Sequence, residues 1–243
     1  MQAPFSPDMN TVPYRDRASA GRWLAKELEN HARRENLVVL GIPRGGIIVA
    51  AEVARTLKAP LDVFVVRKIL LGEDQKRNIG AVASGGVCVL NQEVLHTTEA
   101  EAQEIAEAVS RVREDVLHSE HVFRQGRPAF NVQGRTVILV DDGAASGASQ
   151  RAAVAALRPQ SPSSIIVAVP VASAEASAHL ARETNELICP SVPDPFFSIG
   201  LAYERFPRLT EEEVSQRLAE LDAELFSGAA ADAGPYTDGG RTE

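Results

Sequence analysis

Residues 137–149 read VILVDDGAASGAS, and no other stretch gathers as much chemistry. Four apolar residues suit a short buried strand. Asp141 and Asp142 stand where that strand would emerge. Gly143, Ala144 and Ala145 are small, and Ser146, Gly147, Ala148 and Ser149 would open a helix. Small side chains let backbone N–H groups approach an anion. The serines add hydroxyl donors, and the free N–H groups of a helix start add positive partial charge. That dipole favours an anion by roughly 0.3–1 kcal/mol, up to about 2 when partly buried. Carboxylates do not hold phosphate themselves. They accept hydrogen bonds from sugar hydroxyls, directly or with help from a divalent cation. A phosphate cradle beside a diol acceptor describes a sugar phosphate. The competing reading is an ordinary strand–turn–helix junction with two solvated aspartates.

The elements that must position this segment follow a strand–helix rhythm. Residues 37–42 and 61–66 are continuous apolar runs, as are 136–140 and 164–171, and 186–189 is a shorter one. Such runs suit strands buried on both faces of a parallel sheet. Helical patterns fall at 19–33, 47–57, 98–123, 147–157, 174–183 and 210–225, with Thr98 and Glu101 as a capping box and Thr210 as an N-cap. Residues 79–90, with Ser84-Gly85-Gly86 between β-prone runs, predict a hairpin. Residues 67–77 are polar and charged and predict a mobile loop. The fold class expected is α/β, a doubly wound, mainly parallel sheet with a β-hairpin insertion and a small hood. Ligands of such sheets bind beyond the carboxyl ends of the strands. The turns at 43–46 and 141–149 are therefore the ones to watch. An N-terminal arm at 1–15, one domain at 16–227 and a disordered tail at 228–243 complete the expected organisation.

Bulk properties narrow the function. The 243 residues are 44% apolar and 24% charged, with a formal net charge of −8. An acidic chain with no basic stripe is a poor nucleic-acid binder. No run is long and apolar enough for a membrane helix, and no secretory h-region opens the chain. Two isolated cysteines, Cys88 and Cys189, suit a reducing cytoplasm and core positions rather than a disulfide. No GxxxxGK[ST] or GxGxxG motif follows a strand. His118 and His121 lie late in a polar helical stretch without a third metal ligand.

The segment 137–149 resembles the phosphoribosyl pyrophosphate (PRPP) signature of type I phosphoribosyltransferases, matching at Asp141, Asp142, Ser146, Gly147 and Ser149. The family usually has a β-branched or larger apolar residue where this chain has Gly143. The resemblance implies that the acids hold the ribose hydroxyls and that Gly143, Ala144, Ala145, Ser146, Gly147 and Ser149 surround the 5-phosphate. Residues 41–46, with Arg44, Gly45 and Gly46, resemble the pyrophosphate loop. Arg67 and Lys68 precede the expected loop. With Arg44 they would act catalytically by supplying positive charge to the leaving group. Residues 18–206 are similar to a bacterial subgroup of this family, and 79–86 is typical of it. Residues 193–203 resemble the base-binding hood of hypoxanthine-guanine members. Phe197 holds the place of the stacking aromatic, with Phe196 beside it.

The resemblance implies a transferase using Mg2+-PRPP, with the metal held indirectly through Asp141 and Asp142, and a small-molecule acceptor. Members are often homodimers, and the helix at 98–123 would offer an interface. A 6-oxopurine acceptor is not expected, because Ala145 and Ala202 replace acids of that subgroup and no lysine stands near Pro170 or Val171. Two alternatives remain open: a non-catalytic PRPP sensor, and an enzyme acting on another ribose phosphate ester.

Overall fold

The computed structural model describes residues 13–32, 36–72, 77–97 and 100–232. The strands, in chain order, are β1 Leu37–Gly41, β2 Leu61–Val63, β3 Val66–Leu71, β4 Arg77–Ala83, β5 Val87–Leu90, β6 Thr136–Val140, β7 Ser164–Ala168 and β8 Glu186–Ile188. The helices are α1 Arg17–Glu27, α2 Gly45–Leu57, α3 Gln92–His96, α4 Ala102–Arg124, α5 Ala148–Leu157, α6 Ala174–Glu183 and α7 Glu211–Asp232. Five strands form one sheet in the order β2-β1-β6-β7-β8, and every neighbouring pair in it is parallel.

The apolar runs are continuous because helices cover both faces of this sheet. Val39, Ile138, Val140 and Ile166 pack with Leu24 of α1, Ile47 of α2, Phe123 of α4 and Leu218 of α7. The alternate residues Val38, Leu40, Val137, Leu139 and Val167 pack with Leu157 of α5 and Leu180 of α6. Each such side chain contributes about 1.5–3 kcal/mol on leaving water.

Topology decides where a ligand can sit. β1 and β6 are neighbours, with Ile42 N–H donating to the Val140 carbonyl at 2.9 Å just beyond their ends. From β1 the chain crosses through α2 to β2 on one side. From β6 it crosses through α5 to β7 on the other. Loops that leave adjacent strands in opposite directions open a crevice at the sheet's carboxyl edge. Both glycine-rich turns flank that crevice.

The second sheet is an antiparallel meander, β3-β4-β5. Its hairpin at 79–90 forms as expected, with Gly85 at φ 80° in the turn. Two expectations change here. The run at 61–66 is not one strand: β2 stops at Val63, buried Phe64 and Val65 cross over, and β3 starts the meander. The loop expected at 67–77 is strand through Leu71 and again from Arg77, and residues 73–76 lie outside the described set. The polar look of this stretch comes from alternation. Ile69 and Leu71 are buried, while Lys68 faces water.

Helix ends differ from the sequence pattern for local reasons. α1 begins at Arg17 because Asp16 caps it: its carboxylate accepts the Ser19 N–H at 2.8 Å, and Ser19 Oγ accepts the Asp16 N–H at 3.0 Å. The helix ends at Glu27, ahead of a short 3-10 turn. Thr98 of the expected capping box lies outside the described residues, and α4 begins beyond it without a side-chain cap. The short helix α3 was not expected. At α7, Thr210 Oγ1 accepts the Glu213 N–H at 3.2 Å and Glu213 accepts the Thr210 N–H at 2.8 Å. That helix runs to Asp232, past residue 225 and into the stretch expected to be a tail; residues 233–243 lie outside the described set. Residues 1–12 of the expected arm also lie outside it, and Tyr14 bridges to Tyr203. No helix among the described residues is long and apolar enough to cross a membrane.

A buried ionic knot ties the meander's entry to α4. Arg124 Nε donates to both oxygens of Asp62, its Nη1 to Glu120 and its Nη2 to the Val63 carbonyl. Asp62 also accepts the N–H groups of Val63 and Phe130. Asp62→Ala would leave the buried Arg124 with Glu120 as its one carboxylate partner among the described residues and would strand two N–H donors. The expected loss is about 3–5 kcal/mol, read from chemical denaturation midpoints. A loss under about 1 kcal/mol, the scale of a surface ion pair, would contradict this view of the knot.

Candidate active site

At the end of β6, Asp141 and Asp142 enter the crevice side by side. Asp141 is tethered at both oxygens. Its Oδ1 accepts the Asp142 N–H at 2.8 Å, and its Oδ2 accepts Gln150 Nε2 at 2.6 Å. Gln150 lies in the first turn of α5 and also donates to the Gly143 carbonyl at 3.0 Å. Burial, and then the charge of Asp142, push the Asp141 carboxyl well above the usual carboxylate range. Asp142 is held differently. Its Oδ2 accepts Arg17 Nε at 2.7 Å, and its backbone carbonyl accepts the Tyr203 hydroxyl at 2.6 Å.

The turn at 43–46 closes over this pair. A Cβ on Gly45 would stand 1.8 Å from Asp142 Oδ2, and one on Gly46 2.8 Å from the Asp141 Cα. Only glycine lets the backbone lie so near the acids. Arg44 is exposed at the N-cap of α2, and no side chain caps that helix. Gly147, at φ 68°, occupies the same place before α5, which also lacks a side-chain cap. Two open helix starts thus flank the two carboxylates. Ala145, Ser146 and Ser149 are exposed around the second start, while Ala144 is buried and hydrogen-bonds to the Val171 carbonyl.

The remaining predicted residues divide. Arg67 and Lys68 lie within β3, and no hydrogen bond or ion pair joins either to residues 141–149. Arg67 donates to the Val66 carbonyl and to Ser119 of α4, while Lys68 is exposed. The two hood aromatics also separate. Phe196 packs with Ala20, Val171 and Tyr203, whereas Phe197 is 76% exposed. His118 and His121 are exposed on α4, and the described residues hold no cluster of three potential metal ligands. Cys88 and Cys189 are free and half-buried, and burial raises both thiols, Cys189 to about 11.

Arg17, Gln150 and the role of Tyr203 were missed. Tyr203 lies between Tyr14 and Phe206, with ring centroids at 5.7 and 4.9 Å. Burial, reinforced by the nearby Asp142, raises its hydroxyl, so it stays a neutral donor. Arg17 carried no sequence signal, because the helical pattern expected from residue 19 left it outside the first turn. Gln150 carried none.

Gly143, the departure from the family pattern, has a local cause. A Cβ there would meet Ile199 Cγ2 at 2.7 Å and Val171 Cγ1 at 3.1 Å. The hood residue Ile199 fills the volume that a larger side chain would need. Gly143→Ala should therefore destabilise the protein by about 1–3 kcal/mol through overpacking, and adding Ile199→Ala should recover most of that loss relative to Ile199→Ala alone. Purely additive unfolding free energies would disprove the clash. Asp141 gives a pH test. Its raised pKa means that its contribution to stability is fully present below the ordinary carboxylate range, and is lost as pH rises through the folded value. Asp141→Asn, measured against wild type, should become relatively more stable as pH rises from about 4, the ordinary aspartate value, through neutrality. A pH-independent difference would show that the carboxyl is not raised.

Comparison with known proteins agrees with this geometry. A family model described as phosphoribosyl transferase domain matches residues 15–204. Two curated proteins from strains of Mycobacterium tuberculosis, provisionally named phosphoribosyl transferases, are each 35% identical over 218 residues, covering 90% of this chain and 49% of their own length. The chain therefore spans about half the length of the curated relatives it matches. The crystal structure of TT1426 from Thermus thermophilus matches with a TM-score of 0.77 at 39% identity, covering 86% of this chain and 99% of that one. With the signature at the carboxyl edge of the same sheet, the chain belongs to the phosphoribosyl transferase domain family.

Proposed function

We propose that the chain binds Mg2+-PRPP in the crevice between β1 and β6 and transfers its phosphoribosyl group to a small-molecule acceptor, releasing pyrophosphate. One observation carries this reading: two open helix starts flank a carboxylate pair at the sheet's switch point. The 5-phosphate takes the N–H groups and hydroxyls of residues 145–149, where each charge-assisted hydrogen bond is worth about 1.5–3 kcal/mol. The ribose hydroxyls lie against Asp142, with Asp141 behind it. The pyrophosphate lies along Gly45 and Gly46, beside Arg44.

The donor set suits Mg2+. That ion is held through one or two carboxylates plus substrate phosphates rather than in an all-protein cage. Asp142, with Asp141 behind it, would help to hold the ion, which would supply neutralising charge to the leaving group. The protein's own residues do the rest. The backbone at 44–46 and the Arg44 guanidinium stabilise the departing pyrophosphate, and Asp142 fixes the ring as positive charge builds on it. Arg67 is engaged with α4, so Lys68, exposed and without a partner among the described residues, is the cation of β3 available to a ligand.

A 6-oxopurine acceptor is not expected: Ala145 and Ala202 supply no acid, and no lysine stands near Pro170 or Val171 to donate to a 6-oxo group. Exposed Phe197 offers a stacking face, worth about 1–3 kcal/mol to a planar ring.

The test is calorimetric titration with PRPP, with and without Mg2+, on wild type and Asp142→Asn. Micromolar binding that the variant weakens about tenfold or more is expected. Folded wild-type protein that binds other ribose phosphates but not PRPP would replace the donor. Protein that binds none would end the reading.

A further inference from the structure

The two acids of the site are not equivalent. Both oxygens of Asp141 already accept protein donors. Asp142 gives Oδ2 to Arg17 and lies against the Asp141 carboxyl, and no N–H donor among the described residues reaches its Oδ1. That oxygen is the acceptor left for a ligand, and Arg17 fixes where it points.

Arg17 is itself held from three directions. Its Nε meets Asp142 at 2.7 Å, its Nη1 donates to the Pro207 carbonyl at 2.8 Å, and its guanidinium lies 3.7 Å from the centre of the Phe206 ring. Its side chain is 10% exposed and that of Asp142 14%. Nothing local to α1 selects an arginine here. The cap comes from Asp16 and Ser19, and the helix dipole disfavours a cation in the first turn. What selects it is the acid on one side and the hood segment on the other.

We infer that Arg17 is a positioning residue: it holds Asp142 so that Oδ1 faces the ribose hydroxyls, and it makes that arrangement depend on the hood through Phe206 and Pro207. This inference rests on the ribose-phosphate reading of the site. Arg17 does not touch the reacting atoms. A residue that only anchored α1 would affect stability and leave the ligand affinity of folded protein unchanged. A residue that blocked the diol acceptor would, once removed, tighten binding.

The experiment separates these cases. A cavity of about 350 Å3, lined by Arg17, Ile48, Arg205, Pro207 and residues of α7, borders the side chain and can admit a small cation. Mg2+-PRPP is titrated into wild type, Arg17→Ala, Arg17→Lys and Asp142→Asn, with and without millimolar guanidinium. Arg17→Ala should bind about tenfold or more weakly. Arg17→Lys should fall between it and wild type, since an ammonium keeps the charge and loses the planar fork. Guanidinium should restore much of the affinity of Arg17→Ala and do nothing for Asp142→Asn. Unchanged or tighter binding by folded Arg17→Ala overturns the inference. So does a loss that neither lysine nor guanidinium lessens, which would assign Arg17 to hood packing. If Arg17→Ala does not fold, Arg17→Lys with wild-type affinity overturns it equally. Wild type that binds no ribose phosphate overturns the functional reading and this inference together; wild type that binds, matched by Arg17→Ala, overturns the inference alone.

Discussion

Two carboxylates at the end of one buried strand repel each other, and the surroundings of β6 are arranged around that repulsion. Both are partly buried, so screening between them is weaker than in open water. The pair is accommodated by treating its members differently. Asp141 is enclosed by the Asp142 amide, Gln150 and the backbone of Gly46, where a neutral acid is favoured. Asp142 keeps a guanidinium against one oxygen. Charge at the site is thus divided by environment, as in enzymes whose paired acids take separate roles.

That division draws distant segments of the chain together. Arg17 comes from the first helix, Tyr203 and Phe206 from the hood, and Gln150 from the helix that follows the acids. Tyr14 pairs with Tyr203 across the same corner and sends its hydroxyl to the Pro170 carbonyl. Burial pushes that phenol up to about 12, so both tyrosines remain donors. The hood therefore does more than roof the crevice. Its Tyr203 hydroxyl ends on the backbone carbonyl of Asp142, so its placement and that of the acid are coupled.

Much of this was legible in the sequence, for a definite reason. Strands covered on both faces show as unbroken apolar runs, and β1, β6 and β7 stood out. The loop after β6 was legible because anion binding needs small residues and a helix start at fixed spacing. The meander was read less well. A half-buried antiparallel strand alternates, so Arg67 and Lys68 made β3 look like loop although Ile69 and Leu71 are core. The site's supporting residues were hidden for a different reason. Arg17 and Asp142 are 125 residues apart, and no local period links them. The start of α1 did have a local signal in Asp16 and Ser19, which the apolar pattern passed over because a cap sets where a helix begins without changing that pattern.

Gly143 shows how a departure from a family pattern should be read. On its own, glycine in place of a bulky residue looks like a weakened motif. In the fold, the space is taken by Ile199 and Val171. The apolar wall over this turn is supplied by the hood residue Ile199 and by Val171 rather than by the strand-end loop. Such an exchange keeps the volume filled while placing it under the control of a different segment. The hood carries Ile199 and, two residues earlier, exposed Phe197. A shift of the hood would then reshape the acid turn and the face open to an acceptor together. The sequence alone shows one unusual glycine; packing shows the space beside it already filled by Ile199 and Val171.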